Sequence, residues 1–242
     1  MTAVATSYLE ALCERLSALK VHLAQPMAAA ANAIVNAAKS DRLVYVFGTG
    51  HSHMLAEEVH YRAGGLALAV PILASPFMLH EGAIASSNNE RTEGIAGPIL
   101  DRYEIADNDV LFIISNSGVN AVPLEAARMA RSIGCTVIAI TSLAYSTAAA
   151  NGGEKLADLA DIVIDNGIPP GDAIIDLPGT SLKSGPASTA IGAAIINAIF
   201  SEAAHQLAEH GQPPIYLSAN MPGARESNRA LVERYAKRNR HL

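Results

Sequence analysis

Two short stretches combine residue types that hold an anion without using a cation. Gly48-Thr49-Gly50-His51-Ser52 follows an apolar run, Leu43 to Phe47, and Ser115-Asn116-Ser117-Gly118-Val119-Asn120 follows another, Leu111 to Ile114. Glycines let the backbone turn tightly and expose its N–H groups, while hydroxyls and amides add short donor arms. A helix beginning just after such a loop aims its positive end at the same spot. The expected ligand is a dianion, most simply the phosphate of a sugar. Gly50, His51, Ser52, Ser115, Asn116, Ser117, Gly118 and Asn120 are the expected contacts, with the N–H groups of Gly50 and Gly118 helping. The plainer reading is that these residues only make turns, with Asn120 an ordinary helix cap and Pro123 tolerated in the first turn. Two such loops at adjacent strand ends favour a site.

Proton transfer on a bound ligand suits a carboxylate whose burial raises its pKa toward neutrality, with a second group protonating a developing oxyanion. Glu81, in "LHEGAI" beside His80, is one candidate. Glu202 and His205 are three apart on a long late helix and hence neighbours. At 100° per residue both fall within roughly 40° of the Ile191 direction, so they extend an apolar stripe. A carboxylate and an imidazole on a buried stripe need partners, which a site or a subunit interface supplies. Glu90 and Glu93, in "NNERTEG", are further candidates on a polar stretch able to cross the pocket mouth, with a solvated helix face as the plainer reading, and Lys183 reads as a solvated loop residue. His51 and His53 form an HxH pair at a helix start, where alternate residues do not share a face. His51 is therefore expected on the ligand. No cofactor is expected, zinc being the one metal the histidines leave open.

The elements that must position these residues follow from the apolar pattern. Residues 3 to 39 read as helix, broken near Pro26, with Leu9, Leu12, Leu16, Leu19 and Leu23 at helical spacing. Five apolar runs follow: Leu43–Phe47, Leu66–Leu73, "DVLFIIS", "CTVIAITS" and "ADIVID". They do not alternate with polar residues, so they suit strands buried on both faces. Helices at about Ser52–Arg62, Val122–Ile133 and Ala187–Glu209 separate or follow them, and an irregular loop spans 167–186. This is a doubly wound α/β sheet, whose ligands bind beyond the carboxyl ends of the strands. A dinucleotide is disfavoured: the GxGxxG begun at Gly48 and Gly50 meets His53 at its third position, and no acidic residue closes the second run. A Walker A loop is absent.

Composition narrows the partners. A net charge of −6 excludes a basic nucleic-acid face, and the Arg and Lys after Arg225 are interleaved with Glu as on a solvated helix. The two cysteines, Cys13 and Cys135, form no disulfide or metal pattern, so a reducing cytoplasm fits. The apolar stretch Ala187–Phe200 is too short to span a bilayer. A single domain over 1–242 is expected, with an N-terminal helical segment 1–40, an α/β core 41–210 and a tail 211–242.

The order "VYVFGTGHS", "VLFIISNSGVNAVPLEAARMARSIGCTVIAITS" and "ADIVID" resembles the sugar isomerase (SIS) domain over roughly residues 40 to 210. Ser115, Ser117 and Gly118 match that family's Ser-x-Ser-Gly-x-Thr phosphate loop, Asn120 standing at its Thr, and Ser52 matches its first-loop serine. Phosphoheptose isomerases look most similar, together with uncharacterised single-domain relatives. The resemblance implies a three-layer, five-stranded parallel sheet of flavodoxin-like order 2-1-3-4-5, a phosphosugar ligand and a homodimer or homotetramer. The family often carries a catalytic Glu about ten residues past the first-loop serine, where this chain has Arg62. Glu58 lies about one turn earlier, so Glu58, Glu81 and His205 are the expected proton-transfer groups. The expected activity is aldose–ketose sugar-phosphate isomerisation through an enediolate. The alternatives are a sugar-phosphate lyase, etherase or deglycase, or a phosphosugar sensor without catalysis.

Overall fold

A computed structural model describes residues 3–242; residues 1 and 2 of the expected segment 1–40 lie outside the described residues. The five apolar runs form one all-parallel sheet, β1 (Val44–Gly48), β2 (Ala69–Pro71), β3 (Val110–Ile114), β4 (Thr136–Thr141) and β5 (Ile162–Asp165), in the order β2-β1-β3-β4-β5. Every residue of β1 and β3 is buried, as strands covered on both faces must be. On one face pack α2 (Ala24–Lys39), the short α3 (Met54–Glu58) and α9 (Ser188–Ala208); on the other lie α5 (Ala96–Leu100), α6 (Ala121–Ile133) and α8 (Leu156–Leu159). Strand order reverses between β1 and β3, so the loops after these two strands flank the switch point where ligands bind in such sheets.

Several elements differ from the sequence expectation. The second apolar run yields only three strand residues. Pro71 has no N–H to donate and ends this edge strand, while Ala67 earlier in the run donates its N–H to the Pro214 carbonyl of the tail at 2.8 Å. The helix expected over Ser52–Arg62 is a 3-10 turn, Gly50–His53, followed by the five residues of α3. The break between α1 (Ala3–His22) and α2 falls at Leu23; Pro26 sits inside the first turn of α2, where a missing N–H leaves no helical bond unmade. The 167–186 stretch is not wholly irregular. It carries an antiparallel hairpin, β6 (Ala173–Asp176) and β7 (Lys183–Pro186), onto which α1 leans through the Tyr8 hydroxyl, a donor to the Pro186 carbonyl at 2.7 Å.

The tail is not simply a solvated helix. After α10 (Ala224–Tyr235) the chain returns to the opposite end of the sheet from the two loops, where Arg238 meets the fully buried carboxylate of Asp109 at 2.6 Å. Asp109 also accepts the N–H groups of Leu43 and Ala106, each at 2.8 Å. Among the described residues no helix is long and apolar enough to cross a membrane.

Candidate functional site

At the carboxyl end of β1 the backbone folds back on itself. A Cβ on Gly48 would stand 2.6 Å from the backbone carbon and oxygen of Ser52, so only glycine lets the turn close. The Ser52 N–H then reaches the Thr49 carbonyl at 3.0 Å. Beyond β3 the Ser115 hydroxyl accepts the Gly118 N–H at 3.1 Å. This corrects one expectation: the Gly118 N–H is spent inside its own loop. Gly118 has φ +58, and a Cβ there would lie 3.0 Å from the hydroxyls of Thr141 and Ser146. The glycine thus seats the loop against β4 and α7 (Leu143–Ala150).

Asn116 is held on both sides. Its carbonyl accepts the Ser142 N–H at 3.2 Å and its Oδ1 accepts Asn166 Nδ2 at 2.6 Å, which leaves the Asn116 amide nitrogen as the donor of that side chain. Asn120 stands at the N-cap position of α6 with extended dihedrals, yet its side chain makes no capping bond. The Val122 N–H in that first turn is taken instead by the Glu90 carbonyl at 3.1 Å. The ordinary-cap reading of Asn120 therefore fails, and its side chain is available elsewhere.

Both loops line one cavity of about 760 Å³. Gly50, His51 and Ser52 face it from the first loop, and Ser115, Asn116, Ser117 and Asn120 from the second. Seven of the eight expected anion contacts are therefore brought together, and Gly118 supports them from behind. The opposite wall comes from distant parts of the chain: Tyr8 of α1, Tyr145 of α7, Asp172 before the hairpin, and Ser188 and Thr189 at the start of α9. The Asp172 carboxylate is already committed, accepting Ser188 N–H and Oγ–H at 2.7 Å each and the Ala187 N–H at 3.0 Å, so the positive end of α9 is satisfied within the chain.

The third wall is the segment after α4 (Ala83–Asn89), which brings Glu90 and Arg91 to the cavity. The solvated-face reading of Glu90 is overturned. Its side chain is 16% exposed, its Oε2 accepts the Thr49 hydroxyl at 2.6 Å, and its Oε1 accepts Arg91 Nη1 at 2.9 Å. Arg91 also places a guanidinium on a site expected to hold its anion without a cation. Glu93 does remain exposed.

The three expected proton-transfer groups do not line this cavity in the single chain. Glu58 is turned toward α9, where Asn197 Nδ2 donates to it at 2.8 Å, and it is paired with Arg62, the residue at the family's usual Glu position. Glu81 is exposed at the rim, between Leu79 and Ala83, which do line the cavity. His205 is 12 residues past Ala193, the last lining residue of α9, hence about 18 Å along the helix. Its side chain is 74% exposed and 3.9 Å from Glu209. The buried-stripe reading of Glu202 and His205 is corrected here. The buried face of α9 runs through Gly192, Ile196, Ile199 and Ala203, so Ile191 marks its edge and the stripe drawn from Ile191 emerges into solvent.

The HxH pair splits, as a helix start requires. His51 is exposed at the cavity, while His53 is buried, its Nδ1 against the Gly50 carbonyl and its Nε2 3.4 Å from Glu57. Among the described residues no three His, Cys, Asp or Glu side chains gather as a metal would need. Lys183 pairs with Asp176 across the hairpin at 2.9 Å, away from the cavity lining.

A doubly wound parallel sheet with a polar, loop-built pocket at its switch point defines an α/β protein of the flavodoxin-like order. The sequence model of the SIS domain matches residues 7–142, more than half of the chain, and the chain belongs to that family. The match begins within α1, well before the motifs at residue 40. A UPF0309 protein of Brucella canis is 57% identical over 242 residues, covering all of both chains, and one of Brucella suis biovar 1 matches equally. Among solved structures, a phosphoheptose isomerase from Francisella tularensis is similar with a TM-score of 0.54 at 18% identity, over 83% of this chain and 96% of that one. One from Neisseria gonorrhoeae gives 0.55 at 17%, over 83% and 97%. An Escherichia coli CFT073 protein in complex with A5P gives 0.55 at 16%, over 85% and 90%. These likenesses establish the shared fold.

Proposed function

We propose that the chain is a sugar-phosphate isomerase of the aldose–ketose type. The observation that carries this reading is the convergence of residues 49–52 with 115–117 and Asn120 on one cavity, of a volume suited to a small ligand. The Ser52 and Ser117 hydroxyls and the Asn116 and Asn120 side chains hold the phosphate and the nearest sugar hydroxyls, with the start of α6 behind them. The phosphate is the handle by which binding energy far from the reacting carbons positions those carbons. Membership of the SIS domain family and the fold shared with phosphoheptose isomerases support the same class of substrate.

The test is a thermal-shift panel of aldose and ketose phosphates against their unphosphorylated parents, followed by NMR of the best binders. A ligand that binds only the native state raises the melting temperature. Stabilisation by phosphorylated sugars alone, with interconversion of aldose and ketose, is the expected result. Equal response to the unphosphorylated parents, or none to either, removes the phosphosugar reading. Binding without turnover assigns the chain as a sensor, and release of a non-sugar fragment assigns it as a lyase, etherase or deglycase.

A further inference from the structure

We propose that Glu90 is the catalytic base of this site, and that Thr49 is the residue that positions it. The inference rests on the isomerase reading above and names the group that reading leaves open. Two carboxylates line the cavity, Glu90 and Asp172. Asp172 receives three hydrogen bonds from the start of α9, and moving it would uncap that helix. Glu90 is held differently. One oxygen takes the Thr49 hydroxyl and the other takes the Arg91 guanidinium, and each oxygen keeps a further lone pair for a proton from the ligand.

The backbone explains why this carboxylate is placed with such constraint. The Glu90 carbonyl receives the Val122 N–H of α6, and the Glu90 side chain receives Thr49 of the β1 loop. Glu90 therefore ties together the two loops that hold the phosphate, and its distance from the bound phosphate is set by both. A base placed by the phosphate-holding elements themselves stands in a fixed relation to the reacting carbons. Thr49 is buried, and its hydroxyl donates to the carboxylate without supplying charge.

The step balances without a further reactant. From the open-chain aldose phosphate, Glu90 takes the hydrogen of C2 as a proton. The C–H pair becomes the C1–C2 double bond and the carbonyl π pair moves to O1, giving an enediolate beside Arg91. The hydroxyl proton passes from O2 to O1, Glu90 returns its proton to C1, and C2 becomes the ketone carbonyl. Glu90 ends ionised, as it began.

The experiment follows deuterium uptake at the former C2 hydrogen by NMR in D2O. The probes are aldopentose, aldohexose and aldoheptose phosphates, including ribose 5-phosphate and glucose 6-phosphate, chosen by their thermal shift with the native chain. Glu90→Gln keeps the shape, with the amide oxygen accepting from Arg91 and the amide nitrogen donating to the Thr49 hydroxyl, but it takes up no proton. It is expected to keep the ligand-induced rise in melting temperature while uptake falls by about 100-fold or more. Glu90→Asp withdraws the carboxylate by one methylene and is expected to lose about tenfold in kcat with KM unchanged. Thr49→Val is expected to lower kcat without raising KM, and Thr49→Ser to restore it, a rescue that a merely structural role would not produce. Native-rate uptake by both Glu90 variants overturns the assignment while leaving phosphosugar binding intact. Binding to the native chain with neither uptake nor aldose–ketose interconversion from any probe also overturns it. Absence of binding by every probe instead defeats the isomerase reading itself, and Glu90 as its base with it.

Discussion

Ser117 and Ser115 are two positions apart and do different work. Both line the cavity, but the Ser115 hydroxyl also closes the loop by accepting the Gly118 N–H. Ser117→Asp would set a carboxylate where the phosphate sits and should abolish binding by like-charge repulsion. Titration calorimetry with the best ligand of the panel measures this, and unchanged affinity would remove the loop from the site. Ser115→Ala should instead cost about 1 kcal/mol of stability, read from urea unfolding, because the loop loses an internal hydrogen bond. Gly118→Ala should cost more, about 1–2 kcal/mol, since φ +58 is unfavourable for a residue with a Cβ and that Cβ would press on Thr141 and Ser146. The donor types of both loops were legible in the chain. How the loop is braced was not, because Gly118 is seated against Thr141 of β4 and Ser146 of α7.

At the scale of elements, the strands and α6 were the most readable parts. Unbroken apolar runs demand burial on both faces, and five of the six buried residues of α6, Val122, Pro123, Ala126, Ala127 and Ala130, share one side, Leu124 lying off it. The tail was least readable. Its Arg and Lys alternate with Glu as a surface helix would, and nothing local marks Arg238 as the partner of Asp109, 129 positions away. Arg238→Ala should destabilise the chain by about 2 kcal/mol in urea unfolding, the buried carboxylate keeping its two backbone donors but losing its counter-charge. The start of α1 offers a milder case. Tyr8→Phe removes only the bond to Pro186 and should cost about 1 kcal/mol, with a weaker thermal response to ligand because Tyr8 also lines the cavity.

For the molecule as a whole, the end of the chain introduces a dependence on pH. His60 and His241 pack ring to ring with centroids 6.2 Å apart, and Tyr103 meets His241 Nε2 at 2.9 Å. Burial lowers the pKa of His60, partly offset by its bond to the His241 carbonyl. Burial lowers that of His241 as well, helped by the charges of His60, Arg240 and Arg102. Below about pH 6.5 the unfolded chain binds protons at these sites that the folded chain resists. The stability is therefore complete above that pH and is lost as pH falls from 6.5 toward the lowered folded values. The melting temperature should drop over this window, and His241→Gln should flatten the slope; an unaltered slope would remove the pair as its source. A second expectation concerns assembly. Val4, Leu9 and Val21 of α1 are 61–79% exposed, apolar side chains that a partner copy would cover. The chain should sediment as a homodimer or homotetramer, and a species of 25.2 kDa alone would contradict this.

The sequence by itself determined the five strands of the parallel sheet, the doubly wound winding and the two loops whose glycines, hydroxyls and amides suit an anion. Those properties are local: a run of apolar residues or a glycine-bearing turn has the same physical demand wherever it is placed. The tertiary structure alone decided that Glu90 faces Thr49 rather than solvent, that Arg91, Tyr8 and Asp172 join the wall, and that His205 points away from it. A carboxylate on a polar segment carries no local mark of what it faces, because partners such as Thr49 for Glu90 and Ser188 for Asp172 come from 41 and 16 positions away and are set by the packing of helices against the sheet.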